Sequence, residues 1–277
     1  MRRSIAPLVG LAFAALASAA GASAGQLEDT FFKSAQGSTK TVDHSAWTGF
    51  LKAYVMPQPD GLNRVAYAAV SSADRATLKG YIARLEATDV AGLDKPEQFA
   101  FWANLYNAKT IAIVIEKYPV KSIKDISLGG GLLASLTGGP WKAKVLKVSG
   151  VELSLDDIEH AILRPYHKDA RVHYAVNCAS VGCPNLMTEA FTGKDLERQL
   201  DASARAYVNS ARGFAVRGNA VKASSIYKWF AADFGGSEQA VLEHALKYAD
   251  DPLKNKLKGI AVVKSYDYDW TLNETSK

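Results

Sequence analysis

Apolar positions recur with helical spacing through the first half of the chain. Trp47, Phe50, Leu51, Tyr54 and Val55 fall at i, i+3, i+4, i+7 and i+8 behind Asp43, which predicts an amphipathic helix ending before Pro57. Leu78, Tyr81, Ile82 and Leu85 repeat the pattern behind Ser72. From Pro96, a natural first-turn residue, to Tyr118, the stretch PEQFAFWANLYNAKTIAIVIEKY is apolar nearly all round. That predicts a helix enclosed by the rest of the domain. Asn104, Asn107 and Lys109 within it argue against a membrane span.

Past the glycine-rich stretch LGGGLLASLTGGP the period shortens. WKAKVLKVSGVEL reads as two strands about a Ser-Gly turn, and SLDDIEHAILR as a helix with Ser154 and Asp157 as its capping box. Alternation along RVHYAV predicts a strand with His173 and Ala175 on one face. Next come a helix near Lys194 to Val208, a hairpin FAVRGNAVKA turning at Gly218-Asn219, helices near Ser225 to Phe234 and Ser237 to Tyr248, and a final strand in IAVVKSY. Helices dominate the first half and mix with hairpins in the second. The expectation is a single α+β domain over residues 44–273, its helices packed around a central buried helix beside a small, mostly antiparallel sheet. A segment at 25–43 precedes it and a tail at 274–277 comes after it.

Composition supports that reading. With 48% hydrophobic and 22% charged residues over 277 positions, the chain can bury a full core and needs no cofactor to fold. The formal charge of +5 is spread among acids with no basic-aromatic stripe, so nucleic acid is not an expected partner. Arg2 and Arg3 precede an apolar run from Ile5 to Ala20 that ends in AGASAG, the pattern of a secretory signal peptide over residues 1–24 with an A-x-A site at Ala22-Ser23-Ala24. A periplasmic or secreted protein is expected, with no transmembrane segment once the leader is removed. Its partner would be an envelope component or a small substrate.

The candidate chemistry is concentrated in VHYAVNCASVGCPNL, at 172–186, which holds both cysteines. Three readings compete there. In an oxidising compartment Cys178 and Cys183 would form a disulfide, whose short loop yields only about 2 kcal/mol of entropic stabilisation. Alternatively, Cys178 is a nucleophile with His173 or another histidine as base and Glu159 or an asparagine, Asn177 among them, as orienter. Third, H-x4-C-x4-C with Glu159 or His160 would hold a metal, although zinc sites use tighter knuckles, so no metal is assigned. Glu159 lies four residues after Leu155 and three before Ile162, and so points with the apolar stripe of its helix: it is either paired or raised in pKa. His160 is turned about 100° further round, toward the rim. Asn104 and Asn107 form a polar line on the buried helix, bonding crossing backbone or lining a substrate cleft.

Five blocks together resemble the domain of unknown function 547 family of bacterial envelope and plant proteins: AFWANLYNAKTI, LSLDDIEHAILRP, RVHYAVNCASVGCPNL, SSIYKWFAADFG and YDYDWTLN. The family's pattern runs through Asn104, Tyr106, Asn107, Glu159, His160, His173, Asn177, Cys178, Cys183, Pro184, Asp269 and Trp270, all present here. Where its members usually carry glycine after the Asn-Cys pair, this chain has Ala179, which would be strained if the turn needs a positive φ. A further, fold-level similarity is to circularly permuted papain-like enzymes, which implies a histidine on a strand before an Asn-Cys corner that starts a helix. Here His173 stands closer to Cys178 than those enzymes place the pair. The combined expectation is a thiol-dependent hydrolase or acyltransferase on a cell-envelope amide or ester. The competing class is a non-catalytic, disulfide-stapled envelope binding or scaffold protein.

Overall fold

Helix α4 (Lys95–Lys117) is the axis of the molecule, and its sequence explains why. Asp94 caps it by accepting the Glu97 N–H, Pro96 opens its first turn, and apolar residues on every side bury it from Glu97 to Ile115 with few breaks. The computed structural model describes residues 23–128 and 139–275. Nearly all of the expected leader and the central part of the glycine-rich stretch lie outside these described residues. Before α4 come α1 (Ala24–Phe31), α2 (Ser45–Tyr54) and α3 (Ser72–Glu86). Leu27 and Phe31 of α1 are buried in the same core as α4, so the segment before residue 44 is integral to the domain.

The strands form three small sheets. β1 (Val55–Pro57) pairs antiparallel with β2 (Asn63–Val65), and β3 (Leu146–Val148) with β4 (Val151–Leu153). The second hairpin turns at Ser149 (φ 48°) and Gly150 (φ 80°), the two positive-φ residues that a tight turn between right-twisted strands demands. Ser154 and Asp157 then make the expected reciprocal cap: Asp157 N–H donates to Ser154 Oγ at 3.1 Å, and Ser154 N–H to Asp157 Oδ2 at 2.6 Å. The chain runs on from this cap into a π-helix, Asp157–Leu163, continued by the short α5 (Arg164–His167).

The RVHYAV stretch is not a strand. Val172–Ala175 is a helical turn, α6, and Val172 through Val176 are all buried, so its alternation of residue types carried no information about facing. The second half continues with α7 (Leu196–Val208), β5 (Phe214–Arg217), β6 (Ala220–Ser224), α8 (Ser225–Trp229), α9 (Glu238–Tyr248), α10 (Asp251–Leu257) and β7 (Val263–Asp267). β5 and β6 are antiparallel; β7 adds to β6 in parallel, a departure from an otherwise antiparallel set. The result is an α+β domain with two apolar clusters. One surrounds α4, and the other is built from α7, α9 and the three-stranded sheet. Residues 268–275 cross back from the second cluster to the first: Leu272 N–H donates to Lys121 O at 2.8 Å, and Glu274 bridges Val65. The expected tail therefore begins inside the fold. No helix among the described residues is long and apolar enough to cross a membrane.

Candidate functional site

Asparagines build the loop that carries both cysteines. Asn107, buried on α4, donates from Nδ2 to Ala175 O and accepts the Asn177 N–H, each at 2.8 Å. Asn177 in turn donates to Pro184 O at 2.6 Å and accepts the Ala179 N–H at 2.8 Å. The loop from 177 to 184 is thus tied at its mouth by one side chain. Ala179 adopts φ 60°, so the positive φ that would strain an alanine at this turn is present. Gly182 lies against the crossing C-terminal segment, donating its N–H to Asp269 O at 2.8 Å, and a Cβ there would lie 2.9 Å from Asp269 N. Asn104 does the same kind of work elsewhere, bonding Phe191 O and N–H at 2.8 and 3.0 Å. Asn104, Asn107 and Asn177 are buried and organise backbone rather than face solvent.

Cys178 and Cys183 are free thiols whose sulfurs face each other at 2.7 Å, beyond the roughly 2.05 Å of a disulfide, so the expected staple is not formed. The Cys178 N–H donates to Cys183 Sγ at 3.0 Å. The Tyr268 hydroxyl lies 3.1 Å from Cys183 Sγ and 3.2 Å from Cys178 Sγ, and Ser180 Oγ donates toward Cys183 at 3.4 Å. Burial alone would push the Cys183 thiol up, but hydrogen bonds from the Cys178 thiol, Ser180, Tyr268 and the Cys178 N–H bring it down to about 6. The Cys178 thiol is pushed well up, by its hydrogen bond to the Cys183 sulfur and by burial. The pair is best written as a Cys178 S–H donating to a Cys183 thiolate.

Above the sulfurs opens a cavity of about 160 Å³ at the seam between the two apolar clusters. Its polar wall comes from the π-helix, whose wider turns place the successive residues Glu159 and His160 on one cavity wall. Buried His173 stacks on Phe230 with ring centroids 4.2 Å apart. Its Nε2 lies 2.7 Å from Asp233 Oδ2, and its Nδ1 is 3.9 Å from Glu159 Oε1. His173 and Arg164, both bonded to Asp233, hold that carboxyl well below the usual range. His160 Nδ1 faces Arg164 Nη1 at 3.2 Å; guanidinium only donates, so Nδ1 accepts and Nε2 carries the proton. Asp156, also on the wall, is raised by burial. The apolar wall is aromatic, with Trp229, 49% exposed, at tilted or stacked angles to Tyr268 and Trp270.

Sulfur, imidazole and carboxylate therefore share one cleft, as a thiol mechanism requires: Cys178, Cys183, His173, His160 and Glu159 all line it. No imidazole is among the hydrogen-bond partners of either sulfur within the described residues, and His173 is engaged by Asp233. Nor does Cys178 start a helix; it comes after a helical turn and enters a turn-rich loop, so the corner implied by the papain-like similarity is absent. Among the described residues no group of three or more His, Cys, Asp or Glu side chains is arranged to hold a metal ion. Asp233, Arg164 and Tyr268 were not singled out from the sequence. Asp233 and Tyr268 sit within SSIYKWFAADFG and YDYDWTLN, but no spacing ties them to residues 60 or more positions upstream.

Residues 90–208 match the model of a family described as a protein of unknown function, DUF547. No curated protein and no solved structure matches the chain. The matched segment includes the asparagines, the π-helix and both cysteines, whereas Asp233 and Tyr268 lie downstream of it.

Proposed function

The chain belongs to the DUF547 family, and from that membership and the geometry of its cleft we propose a thiol-dependent hydrolase or acyltransferase acting on an amide or ester of the cell envelope. The leader-like residues 1–24 support a site of action in the periplasm or outside the cell. One observation carries the reading: the Cys183 sulfur, held by hydrogen bonds, lines the same cleft as two imidazoles and a carboxylate. This moves the nucleophile from Cys178, whose thiol is held protonated, to Cys183. Cys183 Sγ attacks the substrate carbonyl carbon, and the carbon–nitrogen or carbon–oxygen bond breaks as the leaving group, hydrogen-bonded by the Nε2–H of His160, takes a proton from water. Water or a second acceptor then attacks the thioester, gives its proton to the hydroxide so formed and restores the thiolate. Glu159, Asp233 and Arg164 orient the two imidazoles.

Incubation with a panel of nitrophenyl esters and acyl amides, and then intact-protein mass measurement, tests the reading. Wild type and Cys178→Ala should each gain one acyl group, at Cys183, and Cys183→Ala none. Absence of an acyl adduct across the panel, or equal labelling of Cys183→Ala, would sink it. The scaffold alternative is favoured only by the closeness of the sulfurs, which suits a staple; it requires that the mature protein carry no free thiol.

A further inference from the structure

We propose that Cys178 and Cys183 also act as a redox dithiol, reducing disulfides that enter the cleft while closing into a bond with each other. Four features of the loop point to this chemistry. The sulfurs need to approach by only about 0.7 Å, from 2.7 Å to the length of a disulfide. Asn177 ties both ends of the loop, to Ala179 N–H and to Pro184 O, so the backbone that carries the sulfurs is held in place as they approach. One sulfur receives a main-chain N–H that the other does not, which divides the pair into an attacking thiolate and a resolving thiol. Both sulfurs line the cleft, and Cys178 is the more exposed. A staple buried solely for stability would have no need of an opening, nor of the Tyr268 hydroxyl placed at 3.1 and 3.2 Å from its two sulfurs.

Cys183 thiolate attacks one sulfur of the substrate disulfide, whose S–S bond breaks to release a thiolate and leave a mixed disulfide on Cys183. The released thiolate takes the Cys178 proton. Cys178 sulfur then attacks Cys183 sulfur, expelling the second substrate thiolate. The substrate gains two electrons, and the dithiol loses two and becomes the Cys178–Cys183 disulfide. In that form the acyl chemistry proposed above has no nucleophile, so the two activities exclude one another until a thiol reductant reopens the pair. The exchange reaction itself requires only the two sulfurs and does not depend on acyl transfer.

The disulfide could come from a small thiol or from a polypeptide, and oxidised glutathione and insulin probe the two sources separately. With either one, reduced wild type should lose both free thiols without keeping an adduct, and Cys178→Ala should retain a mixed disulfide on Cys183. Cys183→Ala should keep its remaining thiol. Reaction with one probe alone identifies the source. Two free thiols persisting in excess of both probes, or a stable mixed disulfide on wild type, would overturn the proposal. Cys178→Ser, checked for native near-UV circular dichroism, repeats the trap should the alanine variant not fold. Acyl labelling of the reduced protein, measured in parallel, succeeds or fails independently.

Discussion

Ala179 holds φ 60° with its methyl group fully buried, and three small terms of opposing sign meet there. Relief of left-handed strain favours glycine by about 1–2 kcal/mol. Greater chain entropy in the unfolded state opposes it by about 0.5–1 kcal/mol, and loss of a buried methyl by about 0.8 kcal/mol. Ala179→Gly should therefore change stability by less than about 1 kcal/mol in urea denaturation. Ala179→Val, β-branched and too large, should cost about 2 kcal/mol or more. Asn107 is less forgiving. Asn107→Ala strands the Ala175 carbonyl and the Asn177 N–H in the core, a loss of about 2–4 kcal/mol, and should also slow alkylation of the thiols it positions. Titration of the alkylation rate tests the site directly. The Cys183 thiolate is present above its pKa of about 6, so labelling should be half-maximal near pH 6 and fall below it; Tyr268→Phe, lacking a hydroxyl donor, should shift that midpoint upward.

Among the elements, helices and hairpins whose pattern extended over several turns or ended in a Ser-Gly or Gly-Asn pair were legible from residue spacing alone. α2, α3, α4, α7 and α9 and the hairpins β3–β4 and β5–β6 stand close to where spacing placed them. The failures have a common cause. At 172–176 every side chain is buried, so apolar residues could not report a face; at 157–163 the change from α to π spacing leaves no mark in residue type. The same limit applies to the site. The cysteines, Glu159 and the asparagines are conspicuous as polar groups in apolar surroundings, whereas Asp233 and Tyr268 acquire meaning only when the second cluster folds against the first. The tight seat of the Cys loop is a property of its partner element. Gly182→Ala should push the 180–183 turn away from residues 269–271, costing about 1–3 kcal/mol by thermal unfolding and disturbing the sulfur pair, because the backbone it meets cannot retreat like a side chain.

For the molecule as a whole, three histidines remote from the sulfurs contribute to its response to acid. His44 and His167 are lowered to about 4 by burial, and His244 to about 4 by burial and the nearby Lys247. Each is neutral when folded but binds a proton below about pH 6.5 when unfolded. Their contribution is complete above pH 6.5 and lost as pH falls toward 4, on the order of 1–3 kcal/mol per histidine. A stability profile from urea melts should decline over that window, and His44→Phe should flatten it. The crossing segment has a different consequence. Tyr268 and Asn273 reach the cysteine loop from far along the polypeptide, so during synthesis the loop emerges long before the hydroxyl that helps to ionise it. Until that stretch arrives, Cys183 lacks one of the donors that hold its thiol down. Full reactivity is thereby postponed until the two halves of the fold have met.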